Sequence, residues 1–89
     1  MKKILQAVSD HLGVEPGLIK GVGKQRSVSR ARAIACALAV ERLGLSGREV
    51  ARKLEISPSA VSKALLRGRL DRRTEVIWKQ MLKRDLNRL

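Results

Sequence analysis

The apolar run at residues 33–40, AIACALAV, is the feature that most constrains the fold of this chain. Eight residues are far fewer than the ~20 needed to cross a bilayer, so the run is predicted to form a buried helix. Ser27 or Ser29 can cap the start of that helix, and Gly44 can end it. A helix that is apolar on most of its circumference needs neighbours on several sides. We therefore predict a bundle around one central helix.

The flanking segments also carry helical spacing and capping signals. An amphipathic pattern from residue 3 to residue 12 stops at Gly13, and Pro16 suits the first turn of a second, short helix. Ser46, Ser57 and Asp71 are predicted to cap three later helices, and Gly68 is predicted to end the one that begins after Ser57. The last helix has an apolar stripe made of Val76, Ile77, Trp78, Met81, Leu82, Leu86 and Leu89. These signals predict an all-α chain of about six short helices, with residues 1–89 forming a single domain.

The composition excludes several functional classes. The chain has no Tyr, no Phe, one Trp, one His and one Cys. It therefore lacks the aromatic platforms on which single-stranded nucleic acid stacks, a tyrosine nucleophile and a paired-histidine metal site. A lone cysteine forms no internal disulfide, and Cys36 is predicted to be a small core residue. We expect no enzyme activity, no cofactor and no metal.

Positive charge is concentrated in two segments. The formal net charge is +12, and residues 24–32 supply four cations while residues 57–70 supply three. No acidic residue lies between Glu15 and Glu41 or between Glu55 and Asp71. A merely soluble surface would mix the two signs. The two acid-free segments therefore indicate a surface for a polyanion, with nucleic acid and an anionic membrane as the candidates.

The segment LSGREVARKLEISPSAVSKALLRG has the spacing of a DNA-binding helix-turn-helix. Ala51 is small enough for two helices to approach each other, and Glu49 follows the Ser46 cap by three residues, as in a capping box. The turn Glu55-Ile56-Ser57 has Glu55 where glycine is common, so some backbone strain is predicted there. The residues of the second helix predicted to face DNA are Ser57, Pro58, Ser59, Ala60, Ser62, Lys63 and Arg67. Among them, Lys63 is the best candidate to contact guanine.

From about Gln6 to Gly68 the chain resembles the C-terminal DNA-binding domain of the bacterial replication initiator DnaA, which shares its helical arrangement with the Trp repressor. A GLIKG-like end of the opening helices, the basic loop running into RSVSRARAIACALA, and LSGREVARKL carry the resemblance. The resemblance implies contacts to the DNA backbone and the adjacent minor groove from Lys24, Arg26, Arg30 and Arg32. Ser46 and Arg48, at the start of the preceding helix, are further candidates for backbone contacts.

The segment SPSAVSKALLRG more closely resembles the DnaA-like domain that follows the catalytic domain of REP-associated tyrosine transposases. This implies sequence-specific binding of double-stranded DNA by the recognition module of a transposase or of a free-standing relative, in the cytoplasm at the bacterial nucleoid. One alternative is a Trp-repressor-like transcriptional regulator that forms a homodimer through its C-terminal helix. Another is a basic helical protein that binds a membrane surface or a protein partner through its last helix. We favour DNA over a membrane, because a small chain needs its apolar stripe for packing.

Overall fold

The computed structural model describes residues 1–21 and 25–87, with side chains as far as Arg84, and in this part of the chain every regular element is an α-helix. The helices are α1 (Lys2–Leu12), α2 (Pro16–Ile19), α3 (Arg26–Glu41), α4 (Gly47–Leu54), α5 (Pro58–Leu70) and α6 (Arg72–Asn87). The prediction of about six helices without a strand is confirmed for the described residues. No helix among them is long and apolar enough to span a bilayer.

Helix α3 is the centre of the bundle, as the apolar run predicts. Ile34, Cys36 and Leu38 are fully buried, and the other helices pack around them. The predicted ends of this helix are wrong. Its N-cap residue is Gln25, which precedes Ser27 by two residues and Ser29 by four, and the helix ends at Glu41. The early start places Val28 on the buried face of the first turn, and Gly44, at φ 71°, belongs to the turn after the helix.

The predicted helix-turn-helix is present as α4, the turn at residues 55–57, and α5. Both caps form: the Ser46 hydroxyl accepts from the Glu49 backbone N–H at 3.1 Å, and the Ser57 hydroxyl accepts from the Ala60 N–H at 3.1 Å. Glu55 has φ 58° and ψ 43°, the left-handed conformation that the sequence marks as strained. Among the described residues it alone combines a side chain with a positive φ. The strain lies where α4 must turn sharply into α5.

Gly68 does not end α5, contrary to the sequence prediction. The helix continues to Leu70, and Gly68 is buried against α3. A Cβ atom at this position would overlap the carbonyl oxygen of Ala33 and lie 2.8 Å from the Ala37 Cβ. The glycine is therefore needed for the close approach of two helices.

Helix α6 lies at the edge of the bundle. Asp71 caps it as predicted, since its carboxylate accepts from the Arg73 backbone N–H at 2.9 Å. Ile77 is buried and Trp78 and Met81 pack partly on the core, but Val76 and Leu82 are 42% and 44% exposed. The predicted seven-residue stripe is therefore too wide. A helix at the edge of a bundle buries only about a third of its circumference against the core. Leu89 and the side chain of Leu86 lie outside the described residues.

Polar contacts supplement this narrow apolar seam. Glu75 pairs with Arg42, the residue that follows α3, and the Arg42 guanidinium also lies 5.5 Å from the centroid of the Trp78 ring. Arg84 lies 3.6 Å from the Asp10 carboxylate of α1. The His11 ring of α1 contacts Arg73 and Gln80, which are both on α6.

Replacing Gly68 by Ala tests the close approach of α5 to α3. The added methyl group must push the helices apart, so we expect the variant to lose about 1–3 kcal/mol of unfolding free energy, despite the better helix propensity of Ala. Gly47→Ala is the control, since a Cβ there meets no atom within 4 Å. Thermal unfolding measures both, and a Gly68→Ala variant as stable as the Gly47→Ala variant contradicts the packing argument.

Replacing Glu55 by Gly tests the strain in the turn. Glycine adopts a positive φ without steric cost, which stabilises the folded state, but it also increases the entropy of the unfolded chain, which opposes folding. We expect the first effect to be larger, so that the free energy of unfolding rises by about 0.5–1 kcal/mol. Glu55→Ala removes the carboxylate and keeps the strain, and we expect no such gain from it. Denaturant midpoints at constant m-value give the comparison, and equal midpoints for the two variants would refute strain at this position.

Candidate nucleic-acid interface

The solvent-facing side of α5 presents short polar side chains followed by cations. Ser57, Pro58 and Ser59 are exposed at its start, and Ala60 is half-buried. Ser62, Lys63 and Arg67 are exposed further along. The Ser62 hydroxyl donates to the Pro58 carbonyl at 3.3 Å, a contact within the helix that leaves the oxygen at the surface. The structure therefore places the predicted recognition residues on one accessible helix.

A groove runs between α5 and the first two turns of α3, and we call it the α3–α5 groove. It consists of two adjoining clefts of about 440 and 250 Å³ that share Ser29, Ala33 and Arg67. The larger cleft is also lined by Arg26, Ser27, Arg30 and Asp71. The smaller cleft is also lined by Gly21, Arg32, Ile56, Ala60, Lys63 and Ala64.

The groove brings the two basic segments together. Arg26 and Arg30 come from the first, and Lys63 and Arg67 come from the second, more than thirty residues later. Within the described part of the chain, Arg26, Lys63 and Arg67 form no ion pair. An array of exposed guanidinium and ammonium groups along one groove is suited to several phosphates at once.

Arg30, however, is paired with an acidic residue that the sequence places far away. Its Nε donates to Asp71 Oδ2 at 2.7 Å and its Nη2 to Asp71 Oδ1 at 3.0 Å. This pairing lowers the pKa of the Asp71 carboxyl and raises that of the Arg30 guanidinium. Arg69 pairs similarly with Glu41 at 3.1 Å. Each of the two acid-free segments therefore contacts a carboxylate from elsewhere in the chain: Arg30 of the first contacts Asp71, and Arg69 of the second contacts Glu41.

Arg32 differs from its neighbours because it is 91% buried, with a relative exposure of 9%. Its Nε donates to the Ile19 carbonyl at 2.8 Å, and this bond holds the end of α2 against α3. Two residues on, the Gly21 N–H donates to the Leu54 carbonyl at the end of α4, at 2.7 Å. These bonds hold Ile19 and Gly21 beside α3 and the end of α4. Lys24, the loop residue that is predicted to contact the DNA backbone or minor groove, lies outside the described residues.

Ser46 and Arg48 lie at the start of α4 and do not line either cleft. The Ser46 hydroxyl is engaged in the helix cap: it accepts from the Glu49 backbone N–H and donates to the Glu49 carboxylate at 3.3 Å. Arg48 is exposed. Their contacts to the DNA backbone stay a prediction, and neither residue is part of the groove.

Cys36 takes no part in the groove. It is fully buried on α3, and burial raises the pKa of its thiol to about 11. The thiol is therefore protonated near neutral pH and behaves as a small apolar side chain, as the sequence predicts.

The sequence does not identify Ser27, Ser29 and Asp71, three polar residues of this groove, as part of the interface. The local pattern predicts the two serines as helix caps, yet Ser29 lies at the junction of the two clefts. The local pattern predicts Asp71 only as a cap of α6, and its second contact joins residues 41 positions apart. A capping signal is local in sequence, whereas a pair across that separation leaves no local pattern.

The comparisons with known proteins identify one family. The family described as bacterial dnaA protein helix-turn-helix matches residues 1–67 of this chain, from the start of the chain to the last turn of α5. No curated protein and no solved structure matches the chain in the corresponding comparisons.

The Arg30–Asp71 pair makes stability depend on acid pH. Because folding lowers the pKa of Asp71 below 3.8, the unfolded chain binds the proton more readily, and the pair stabilises the fold at neutral pH. That stabilisation is lost as the pH falls through the lowered pKa. We expect the difference in Tm between wild type and Asp71→Asn to shrink as the pH falls from neutral to strongly acid values. A difference that is independent of pH would contradict the pairing.

Proposed function

Because the chain belongs to the bacterial DnaA helix-turn-helix family, we propose that it binds double-stranded DNA. In this proposal α5 enters the major groove with its first two turns, and the start of α3 lies against the neighbouring backbone. Residues 1–89 act as one binding unit at the nucleoid and carry out no reaction.

One observation supports this proposal above the others: the α3–α5 groove joins cations from two separate segments beside an accessible helix. Lys63 lies both on the outer side of α5 and on the wall of the smaller cleft. Arg26 and Arg67 line the larger cleft. Cations on both sides of a helix that carries short polar side chains can bind phosphates while serine hydroxyls and Lys63 reach base edges.

The roles of the predicted contacts differ with their placement. We propose that Lys63 reads a base, with guanine as its preferred partner, and that Ser59 and Ser62 discriminate more weakly. Pro58 and Ala60 are suited to a thymine methyl group. Arg26, Arg30, Arg67 and the loop residue Lys24 contact the backbone. Arg32 contributes by holding Ile19, at the end of α2, against α3 rather than by direct contact, because its side chain is buried.

A duplex partner is favoured over a single strand and over a membrane. The one aromatic ring, Trp78, packs partly on the core beneath Arg42, so it is a poor platform for stacking bases. The apolar side of α6 that a membrane would need is used in part by Ile77 and Met81, which pack on the bundle.

We further propose that the DNA-binding unit serves a transposase or a free-standing relative, a proposal supported by the resemblance of residues 57–68. The alternative is a dimeric regulator, for which Val76 and Leu82 offer exposed apolar side chains on α6. Selection of bound duplexes from a random library separates the two. A palindrome with half-sites about one helical turn apart supports the dimer, and a single asymmetric site supports the monomeric module.

The first measurement is the affinity for duplex DNA as a function of salt. If the groove and its surroundings neutralise ~6 phosphates, the logarithm of the binding constant should fall with that of the salt concentration with a slope near −5. Fluorescence anisotropy with a labelled duplex gives the slope. No duplex binding at low salt, or binding that is indifferent to salt, would refute the proposed function.

Substitutions in the groove test the division of roles. We expect Lys63→Ala to cost about 1–3 kcal/mol on the selected duplex and much less on a scrambled one. Arg26→Ala should weaken both duplexes alike and reduce the salt slope by about one. Lys79→Ala, an exposed lysine on α6 that lines neither cleft, controls for the loss of one charge. Equal losses for Lys63→Ala and Lys79→Ala on both duplexes would contradict the assignment of Lys63.

A further inference from the structure

The Asp71 carboxylate occupies one of the two edges of the Arg30 guanidinium that can bind a phosphate in a bidentate way. Both carboxylate oxygens are engaged, one by Nε and one by Nη2, in a parallel two-bond arrangement. Phosphate oxygens bind the same planar fork in the same bidentate way. Both residues line the larger cleft of the α3–α5 groove, with Arg26 and Arg67 on the other walls.

Asp71 is held firmly in this position. Its side chain is 15% exposed against 48% for Arg30. Its Oδ1 accepts the Arg73 N–H at 2.9 Å, and its backbone carbonyl accepts the Thr74 N–H at 3.2 Å, so it is part of the first turn of α6. A carboxylate fixed by its own helix start cannot move away when a polyanion enters the cleft. Arg30, on its long and half-exposed side chain, is the mobile partner.

We propose that Asp71 competes with DNA phosphate for Arg30, so that the first turn of α6 restrains the affinity of the α3–α5 groove for duplexes of any sequence. The inference rests on the proposed function. A phosphate that approaches this wall meets a pair of zero net charge. A phosphate that binds the remaining Nη1–Nη2 edge lies close to the carboxylate and is repelled by it. A contact without that repulsion requires Arg30 to leave Asp71. Asp71 is thus a positioning residue that acts through Arg30.

The location of Asp71 makes the restraint a property of the last helix. The family match ends at residue 67, and Asp71 follows it, between α5 and α6. Glu75, one turn further along α6, provides an internal comparison. It pairs with Arg42 and does not line either cleft of the groove. Loss of either acid raises the net charge by one, but only loss of Asp71 releases a cation of the groove.

The test compares Asp71→Asn with Glu75→Gln. Asn is a good N-cap residue and keeps an oxygen for the Arg73 N–H, so the start of α6 is preserved. We expect Asp71→Asn to bind a duplex about threefold more tightly or better, on selected and scrambled sequences alike. We also expect its salt slope to steepen, by at most about 0.9, the value for one full phosphate contact, because wild-type Arg30 is shared between Asp71 and the DNA backbone. Glu75→Gln should change the affinity less and leave the slope as it is.

The same exchange made in an Arg30→Ala background shows whether the effect passes through Arg30. There, Asp71→Asn should lose its advantage over Glu75→Gln in both affinity and slope. If wild type binds duplex DNA but Asp71→Asn binds no better than Glu75→Gln, or binds more weakly, the inference is overturned while the proposed function stands. An undiminished gain in the Arg30→Ala background also overturns it. A wild type that binds no duplex at all overturns both.

Discussion

The contact between Gly68 and the Ala33 carbonyl determines how near α5 can lie to α3, and the candidate interface depends on that distance. Helix axes approach this closely only where one partner has no side chain and the other has small ones, here Ala33 and Ala37. The helices that meet there carry Arg26 and Arg30 on one side and Lys63 and Arg67 on the other. A wider separation would part the two sets of cations and open the groove. The fold and the interface therefore depend on the same few atoms.

Local signals in the sequence predicted the elements of this fold well. The caps at Ser46, Ser57 and Asp71 are each satisfied by a backbone N–H two or three residues away, so the pattern and the contact lie in the same short segment. Gly68 was misinterpreted for the opposite reason. As a local signal a glycine indicates the end of a helix, but here its role comes from α3, 35 residues earlier in the chain. Only the tertiary packing distinguishes the two roles.

The two basic segments of the candidate site were predictable from the sequence, but the burial and pairing of their charges were not. The sequence indicates which segments are basic, and the structure places both on one groove. It does not indicate that Arg32 turns inward to the Ile19 carbonyl, or that Asp71 returns to Arg30 across 41 positions. A charge count along the chain treats every Arg as an exposed cation. Burial and pairing are set by neighbours in space, and they separate cations that bind a ligand from cations that hold the fold.

This separation changes what the net charge of +12 means. In the groove, the exposed cations Arg26, Arg30, Lys63 and Arg67 face one carboxylate, Asp71, so only a small part of the surplus lies there. The remainder is spread over other surfaces, including α4 and α6. Diffuse charge attracts a polyanion from a distance and is screened by salt, but it does not orient the polyanion. Orientation requires groups at fixed positions on rigid helices, and those are the cations of α3 and α5 that the close approach at Gly68 brings together.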